Sequence, residues 1–156
     1  MDFYKINAFK YFVKQLCILR KEIKFDAPFS RTQLLKLLFF VSAIKVNGQD
    51  LLDIFNSFYA MQFGPVESDV LNAMNSVGID VSHIQLDETT MKRIDASISE
   101  LNSISPSLFK KSASELVEIT HKWSCWKDSF AFAEFIGKGS AKMSVELIRQ
   151  SNQVFE

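Results

Sequence analysis

Residues 30–48, S-R-T-Q-L-L-K-L-L-F-F-V-S-A-I-K-V-N-G, predict the central helix of the fold. Ser30 followed by Gln33 has the form of a capping box, in which the hydroxyl accepts from the N3 amide and the glutamine bonds back to the cap. Asn47-Gly48 is a natural stop, because glycine adopts the left-handed conformation at a helix end without a Cβ clash. The pattern therefore predicts a helix at about 31–47.

Nearly every side chain between these two signals is apolar, and at about 100° per residue they cover almost the whole helix circumference. Phe29 and Leu34 occupy the N′ and N4 positions of a hydrophobic staple. A helix that is apolar all round is buried on most sides, and at about 16 residues this one is too short to span a bilayer. We expect a mainly α, single compact multi-helix domain over residues 1–156, with the other helices packed around this one.

Length and composition are compatible with that expectation. The chain has 156 residues, of which 47% are hydrophobic and 15 are phenylalanine, so material for one core is ample. The first residues lack the layout of a signal peptide, and no apolar run reaches the length of a membrane span. Cys17 and Cys125 are far apart, which favours a reduced, cytoplasmic protein over a disulfide framework. No membrane association is expected.

The net charge is zero, but charge is unevenly distributed along the chain. Residues 1–48 carry nine Lys/Arg and three acids, whereas residues 49–104 carry two and nine. The two regions either complement each other within the fold or are solvated, or one of them receives a protein partner. A neutral domain with a basic third is a poor candidate for a dedicated nucleic-acid binder.

Apolar spacing predicts further helices in the first half of the chain. An amphipathic helix is expected over residues 3–24, a break at residues 25–28, and a third helix capped by Asp50 with an apolar face over residues 51–59. Gly64-Pro65 then opens a helix from about Val66 to Val77, which Gly78 ends. Residues 79–86 alternate weakly and form a candidate short β segment, although one strand cannot stand alone.

In the second half, Asp87 opens a helix, Ser105-Pro106 starts a short helical turn, and Ser112 with Glu115 forms a second capping box. Residues 128–136 are aromatic-rich and ambiguous, and Gly137–Ser140 reads as a loop. Met143-Ser144 begins the last helix, with Met143 as its N′ staple residue.

The residues that could carry chemistry form no convincing constellation. His121 and Cys125 stand at i and i+4, but a zinc site would also need His83 and Cys17, and the spacing does not support one. A Cys125–His121 nucleophile pair lacks a visible oxyanion loop. A buried thiol between two tryptophans is the simpler interpretation.

Gly137-Lys138-Gly139-Ser140 lacks the first glycine of a phosphate loop and follows no clear strand. Acidic pairs fall at helix starts, where the helix dipole favours them. We expect no metal, no cofactor and no enzymatic activity. Trp123 and Trp126 either pack in the core or belong to an exposed aromatic patch, since tryptophan is common at interface hot spots.

Three segments, in this order and spacing, resemble the Panacea domain, the family of SocA-like antitoxins: L-L-K-L-L-F-F from Leu34, F-Y-A-M-Q-F-G-P-V-E from Phe58, and Leu116-x-x-x-Thr-His with Trp126. The resemblance covers about residues 32–148. It departs at Phe39-Phe40 and Phe63, where tyrosine is usual, at Ser124-Cys125 before Trp126, and through residues 79–111.

The resemblance implies a bacterial or prophage antitoxin that binds and neutralises a toxin protein encoded beside it. It also implies a set of family-motif and partner-binding residues: Phe63, Gly64, Pro65, Val66, Thr120, His121, Trp123 and Trp126. Two alternatives stay open: an adaptor that delivers a partner to a AAA+ protease, as in the SocA branch, and a DNA-binding regulator that uses the basic N-terminal third.

Overall fold

The computed structural model describes residues 2–25, 27–76 and 78–156. Within those ranges the fold is mainly helical with a small sheet, which confirms the expected class. The elements, in chain order, are α1 (Phe3–Glu22), α2 (Arg31–Ala43), β1 (Phe58–Met61), β2 (Gly64–Glu67), α3 (Ser68–Ser76), α4 (Glu88–Ile104), a 3₁₀ turn (Pro106–Lys110), α5 (Ala113–Thr120), α6 (Ser124–Phe135), β3 (Ala141–Lys142) and α7 (Val145–Gln150). None of the helices in the described ranges is long and apolar enough to cross a membrane.

Helix α2 is the buried axis that its sequence predicts. All nine residues from Leu35 to Ala43 are buried, including Lys36 and Ser42. Both halves of the capping box form, with the Gln33 backbone N–H donating to Ser30 Oγ and the Ser30 backbone N–H donating to Gln33 Oε1. Apolar side chains of α1, α4, α5 and β1 join those of α2 in one core cluster.

The predicted end of this helix is wrong, because α2 stops at Ala43 rather than near Asn47. Ile44 turns to extended backbone, and Asn47 and Gly48 have φ of 52° and 78°. Val46 and Gln49 pair across them as an antiparallel bridge. Positive φ at two successive central residues is what a two-residue hairpin turn requires, and Asn-Gly is its preferred pair. The dipeptide therefore makes a tight turn instead of a helix cap.

The predicted third helix over residues 51–59 is also wrong. Asp50 accepts from Leu52 N, as a cap would, but only one turn follows before the chain extends. Residues 58–61 form β1, whose side chains alternate between buried and half-buried. Apolar residues at positions 51, 54, 55 and 58 match a helical period, yet they divide between one turn and a strand.

The small sheet has the order β2–β1–β3 and is antiparallel throughout. Phe58 pairs with Glu67 and Met61 with Gly64, which leaves Gln62 and Phe63 as the two-residue tip of a hairpin. Pro65 therefore lies in β2 and not in the first turn of a helix. Its missing N–H is compatible with β2 because that strand is at the edge of the sheet.

Helix α3 starts at Ser68 rather than near Val66, and the predicted end at Val77 lies outside the described residues. The Glu67 carboxylate accepts from the backbone N–H of Asp69 and Val70, so the last residue of β2 caps the helix.

Residues 79–86 contain no strand, so the β structure of this fold lies elsewhere than predicted. Asp80 accepts from Ser82 N and Ser82 Oγ, a local turn that competes with extended pairing. Gln85 N donates to Asn7 Oδ1 of α1. Side chains, rather than a partner strand, accept the backbone hydrogen bonds of Ser82 and Gln85 in this segment.

The second half follows the sequence more closely. Asp87 caps α4 through Thr90 N, and the Ser112–Glu115 capping box forms at α5. The ambiguous residues 128–136 are mostly the C-terminal part of α6. Met143 and Ile148 are both buried at the start of α7, as a staple requires.

Candidate functional site

The β1–β2 hairpin is where the separated motif segments meet. Three side chains from other parts of the chain donate to its backbone carbonyls. Trp126 Nε1 donates to Met61 O at 2.8 Å, His121 Nε2 bonds Gln62 O at 3.1 Å, and Lys36 Nζ donates to Pro65 O at 2.9 Å. The hairpin is thereby fixed on both sides of Phe63, by α2 on one side and by residues of the α5–α6 corner on the other.

Both the backbone conformation at position 64 and the side chains around it require a glycine. Its φ is +106°, which L side chains rarely adopt. A Cβ built there would lie 2.5 Å from Thr120 Oγ1 and 3.2 Å from Lys36 Cε. Thr120 is fully buried, and its hydroxyl donates to Val117 O at 2.7 Å. The side chains at 36 and 120 occupy the space that a Cβ would need.

Lys36 is the main residue that the sequence reading missed. Its side chain is 2% exposed, and none of the described carboxylates lies within ion-pair distance of it. Burial lowers the pKa of Lys36 to about 8. Its amine can donate to Pro65 O in either protonation state. The available signal was a single lysine in a helix whose other buried residues, apart from Ser42, are apolar.

His121, Trp126 and Phe130 form a column of parallel rings beside the hairpin. The ring centroids of His121 and Trp126 are 3.9 Å apart at 12°, and those of Trp126 and Phe130 are 5.1 Å apart at 9°. Burial lowers the pKa of His121, and the nearby Lys36 amine lowers it further, while the bond to Gln62 O opposes both. A neutral ring with its proton on Nε2 therefore suits this bond.

Phe63 projects from the hairpin tip and is 63% exposed, whereas Val66 is buried in the core. Trp123 is not part of the column. It is fully buried, its ring centroid lies 4.8 Å from that of Phe39, and its indole N–H donates to Val154 O. The exposed-patch interpretation is therefore wrong for Trp123, which is a core residue, while Trp126 is half-buried.

The far end of the hairpin is held by a buried ion pair. Lys5 Nζ of α1 lies 2.8 Å from Glu67 Oε2 and 2.7 Å from Asp69 Oδ2, with Lys5 2% and Glu67 0% exposed. Burial acts to lower the pKa of Lys5, but its hydrogen bonds and the charges of Asp69 and Glu67 raise it above the ordinary value. Sequence reading identified neither partner of this pair.

This ion pair also bears on the uneven charge distribution, since a lysine of the basic N-terminal third meets two acids of the acidic middle. Lys5, Arg20 and Lys36, three of the nine basic residues in 1–48, are buried. The basic patch that a DNA-binding surface would use is smaller than the sequence suggests.

The catalytic and metal-binding arrangements considered from the sequence do not form in the described part of the chain. His121 follows the end of α5 and Cys125 lies in α6, so the two are not on one helix as the i, i+4 spacing suggests. Burial raises the pKa of the Cys125 thiol, which favours the unreactive form. Among the described residues, no group of three or more His, Cys, Asp and Glu side chains could hold a metal ion. Gly137–Ser140 is an exposed loop between α6 and β3.

Comparison of the chain with protein-family models, with curated proteins and with solved structures finds no match. The resemblance to the Panacea domain therefore stays a prediction that depends on the three sequence segments.

Proposed function

We propose that this protein is an antitoxin that neutralises a cognate toxin by direct binding, and that the tip of the β1–β2 hairpin is part of the binding surface. The proposal is supported by one observation above others. The residues that carry the resemblance come from three separate segments, yet they meet around one hairpin whose tip presents an exposed aromatic ring.

Phe63 has the properties of an interface anchor. Its backbone neighbours are held by side chains of Trp126 and His121 on one side and of Lys36 on the other, so little main-chain freedom is left to lose on binding. Burying a phenyl ring in a partner contributes roughly 1.5–3 kcal/mol. Aromatic residues of this kind dominate many interfaces.

Occlusion of a toxin requires an interface on the order of 1,200–2,000 Å² and no chemistry by the antitoxin itself. Phe63 would supply the centre of such an interface, and the half-buried edges of the His121–Trp126–Phe130 column would lie beside it. The buried residues of the set have a different task. Gly64, Pro65, Val66 and Thr120 build the hairpin that presents the ring.

The test is co-expression with the neighbouring open reading frame. We expect that product to arrest growth when expressed alone, growth to recover when both are expressed, and the two proteins to co-purify. If the neighbouring protein is harmless when expressed alone and no protein co-purifies with this chain, the proposal is wrong. The half-life of the toxin in the same cells separates occlusion from delivery to a AAA+ protease, because delivery shortens it.

Two matched variants locate the surface. Phe63→Ala should leave the circular dichroism spectrum and the unfolding midpoint unchanged while weakening toxin binding about tenfold or more. Phe132→Ala is the control, because Phe132 is 57% exposed and lies about 160° around α6 from Phe130. Equal effects of the two variants on toxin binding would contradict the role of the hairpin tip. Neutralisation of the toxin in the co-expression test would still support the antitoxin function.

A further inference from the structure

Residues 152–156, N-Q-V-F-E, follow α7 without regular structure and lie against the core as an extended segment. Side chains make all of its hydrogen bonds to the rest of the described chain. Trp123 Nε1 donates to Val154 O at 2.8 Å, Gln153 Nε2 donates to Ala43 O at 2.9 Å, and Lys122 Nζ donates to Glu156 O at 2.8 Å. Ser105 Oγ donates to Phe155 O at 3.4 Å. We refer to residues 152–156 as the strap.

Phe155 is the apolar anchor of the strap. Its ring centroid lies 5.9 Å from that of Trp123 and 6.0 Å from that of Phe40, at angles of 70° and 71°. These edge-to-face contacts place the phenyl ring between α2 and the start of α6. The surface under the strap, which we call the groove, therefore contacts three successive groups: the Gln153 side-chain amide at Ala43 O, the Val154 carbonyl at the Trp123 indole, and the Phe155 ring.

The strap can leave without disrupting an element of the fold. Among the described residues, none in 152–156 shares a backbone–backbone hydrogen bond with another segment. Its departure would break neither a helix nor the sheet, but it would leave the indole N–H of Trp123 without its acceptor and uncover an aromatic pocket. A segment of this kind opens locally with a smaller free energy than global unfolding.

We propose that this groove is a peptide-binding site, filled in cis by the strap, that accepts an extended segment of a partner protein carrying an amide residue, an aliphatic residue and an aromatic residue in succession. The chemistry of the occupant follows from the contacts that the strap makes. The site uses side chains other than those of the hairpin, and it does not depend on the antitoxin proposal.

The strap and a free peptide compete for one groove. A segment joined to its site by a short link acts at an effective concentration in the millimolar range, so wild-type protein should bind a free copy of the strap only weakly. Loss of the Phe155 ring removes apolar surface that the strap buries in the groove. The equilibrium between bound and released strap should therefore shift roughly tenfold toward release. A peptide that retains the ring should then displace the weakened strap.

The experiment uses the chain of residues 1–156 and a synthetic hexapeptide of residues 151–156, S-N-Q-V-F-E. We expect the hexapeptide to bind the Phe155→Ala variant about tenfold more tightly than the wild type, measured by calorimetry and by the indole N–H resonance of Trp123. The Trp123→Phe variant assigns that resonance. A hexapeptide with alanine in place of its phenylalanine should bind neither protein.

Absence of hexapeptide binding to a folded Phe155→Ala variant would overturn the proposal. So would a concentration-dependent wild-type dimer that excess hexapeptide dissociates, because the occupant in trans would then be a second copy of this chain.

A second measurement on the wild type covers the case in which Phe155→Ala does not fold. The indole proton of Trp123 should exchange with solvent at least tenfold faster than the slowest amides of α2, since only the strap must open. Exchange at the same rate as those amides would mean that the strap leaves only on global unfolding, and the groove would not be an exchangeable site.

Discussion

Gly64→Ala tests whether the hairpin is held as tightly as the structure indicates. Alanine at φ +106° is strained wherever it occurs, and a residue forced into a sparsely populated backbone region costs about 1–3 kcal/mol. The added Cβ would also lie 2.5 Å from Thr120 Oγ1, a distance that real Cβ atoms do not show. Because Thr120 is fully buried and hydrogen-bonded to Val117 O, it cannot retreat freely. Overpacking of this kind costs about 1–3 kcal/mol more.

The sum, roughly 2–6 kcal/mol, is a large share of the 5–15 kcal/mol that stabilises a typical domain. Gly48→Ala separates the two contributions. Gly48 also has positive φ, +78°, but a Cβ there would have no heavy atom within 4 Å. It should therefore cost only the backbone strain, about 1–2 kcal/mol. The excess cost of Gly64→Ala over Gly48→Ala therefore reports the steric clash together with any larger backbone strain at φ +106°.

The assay is urea unfolding followed by far-UV circular dichroism, analysed as a two-state transition. The double variant Gly64→Ala/Thr120→Ala removes the closest atom, so it should be less destabilised than the sum of its single variants by about 1 kcal/mol or more. If Gly64→Ala and Gly48→Ala cost the same to within about 0.5 kcal/mol, or if the double variant is additive, the hairpin has room at this position and the reasoning fails.

Three further changes probe the core beneath the hairpin. Glu67→Gln should lower the free energy of unfolding by about 3 kcal/mol in urea, because the buried Lys5 ammonium loses the negative charge of its buried partner. A decrease below about 1 kcal/mol would contradict that pairing. Lys36→Met should change the pH dependence of stability. The folded-state pKa of Lys36, about 8, is below its unfolded value, so between these two values the unfolded chain binds more protons than the folded chain. The free energy of unfolding of the wild type should therefore rise from about pH 8 to about pH 10 relative to that of the variant. The rise should be about 3 kcal/mol at most. Parallel pH profiles of the two proteins would show that Lys36 is not desolvated. Leu38→Asp should abolish the helical circular dichroism signal, since Leu38 is fully buried in the core cluster, and a folded Leu38→Asp protein would mean that α2 is not the axis.

Local signals were the most predictable part of the fold. Both capping boxes form with the residues that the sequence indicates, because a cap depends only on groups three residues apart. The burial of α2 was predictable for a similar reason, since an all-round apolar surface has no solvent-facing alternative.

The errors fall where two local interpretations share one pattern and a distant partner decides between them. Asn47-Gly48 suits both a helix end and a tight hairpin turn, and the bridge between Val46 and Gln49 selects the turn. Residues 51–59 suit a helix by period, but β1 gains pairing on both sides, from β2 and from β3 at residues 141–142. That second partner lies about 80 residues away, where no window of sequence periodicity can find it.

The candidate site was predictable as a set of residues but not as an arrangement. Phe63, Gly64, Thr120, His121 and Trp126 come from the family resemblance, and the structure brings them to one hairpin. Lys36, Lys5 and Glu67 also hold this hairpin to the rest of the fold, and they are polar groups buried by contacts between distant segments. Spacing along the chain carries no information about such contacts.

Lys36 illustrates why a helix that is buried on every side still needs a long polar side chain. Strand β2 is an edge strand, yet all four of its residues are buried, because α2 packs over it. Covering an edge with a helix prevents pairing with other chains, but it also removes water from the strand carbonyls. A buried carbonyl without a donor costs about 1–3 kcal/mol, and the backbone N–H groups inside a helix are already used. A side chain must supply the donor, and lysine can do so because its long apolar stem fits the core while its amine reaches Pro65 O. The one lysine of this buried helix therefore follows from the sheet edge that the helix covers, and it joins the axis of the fold to the hairpin that presents Phe63.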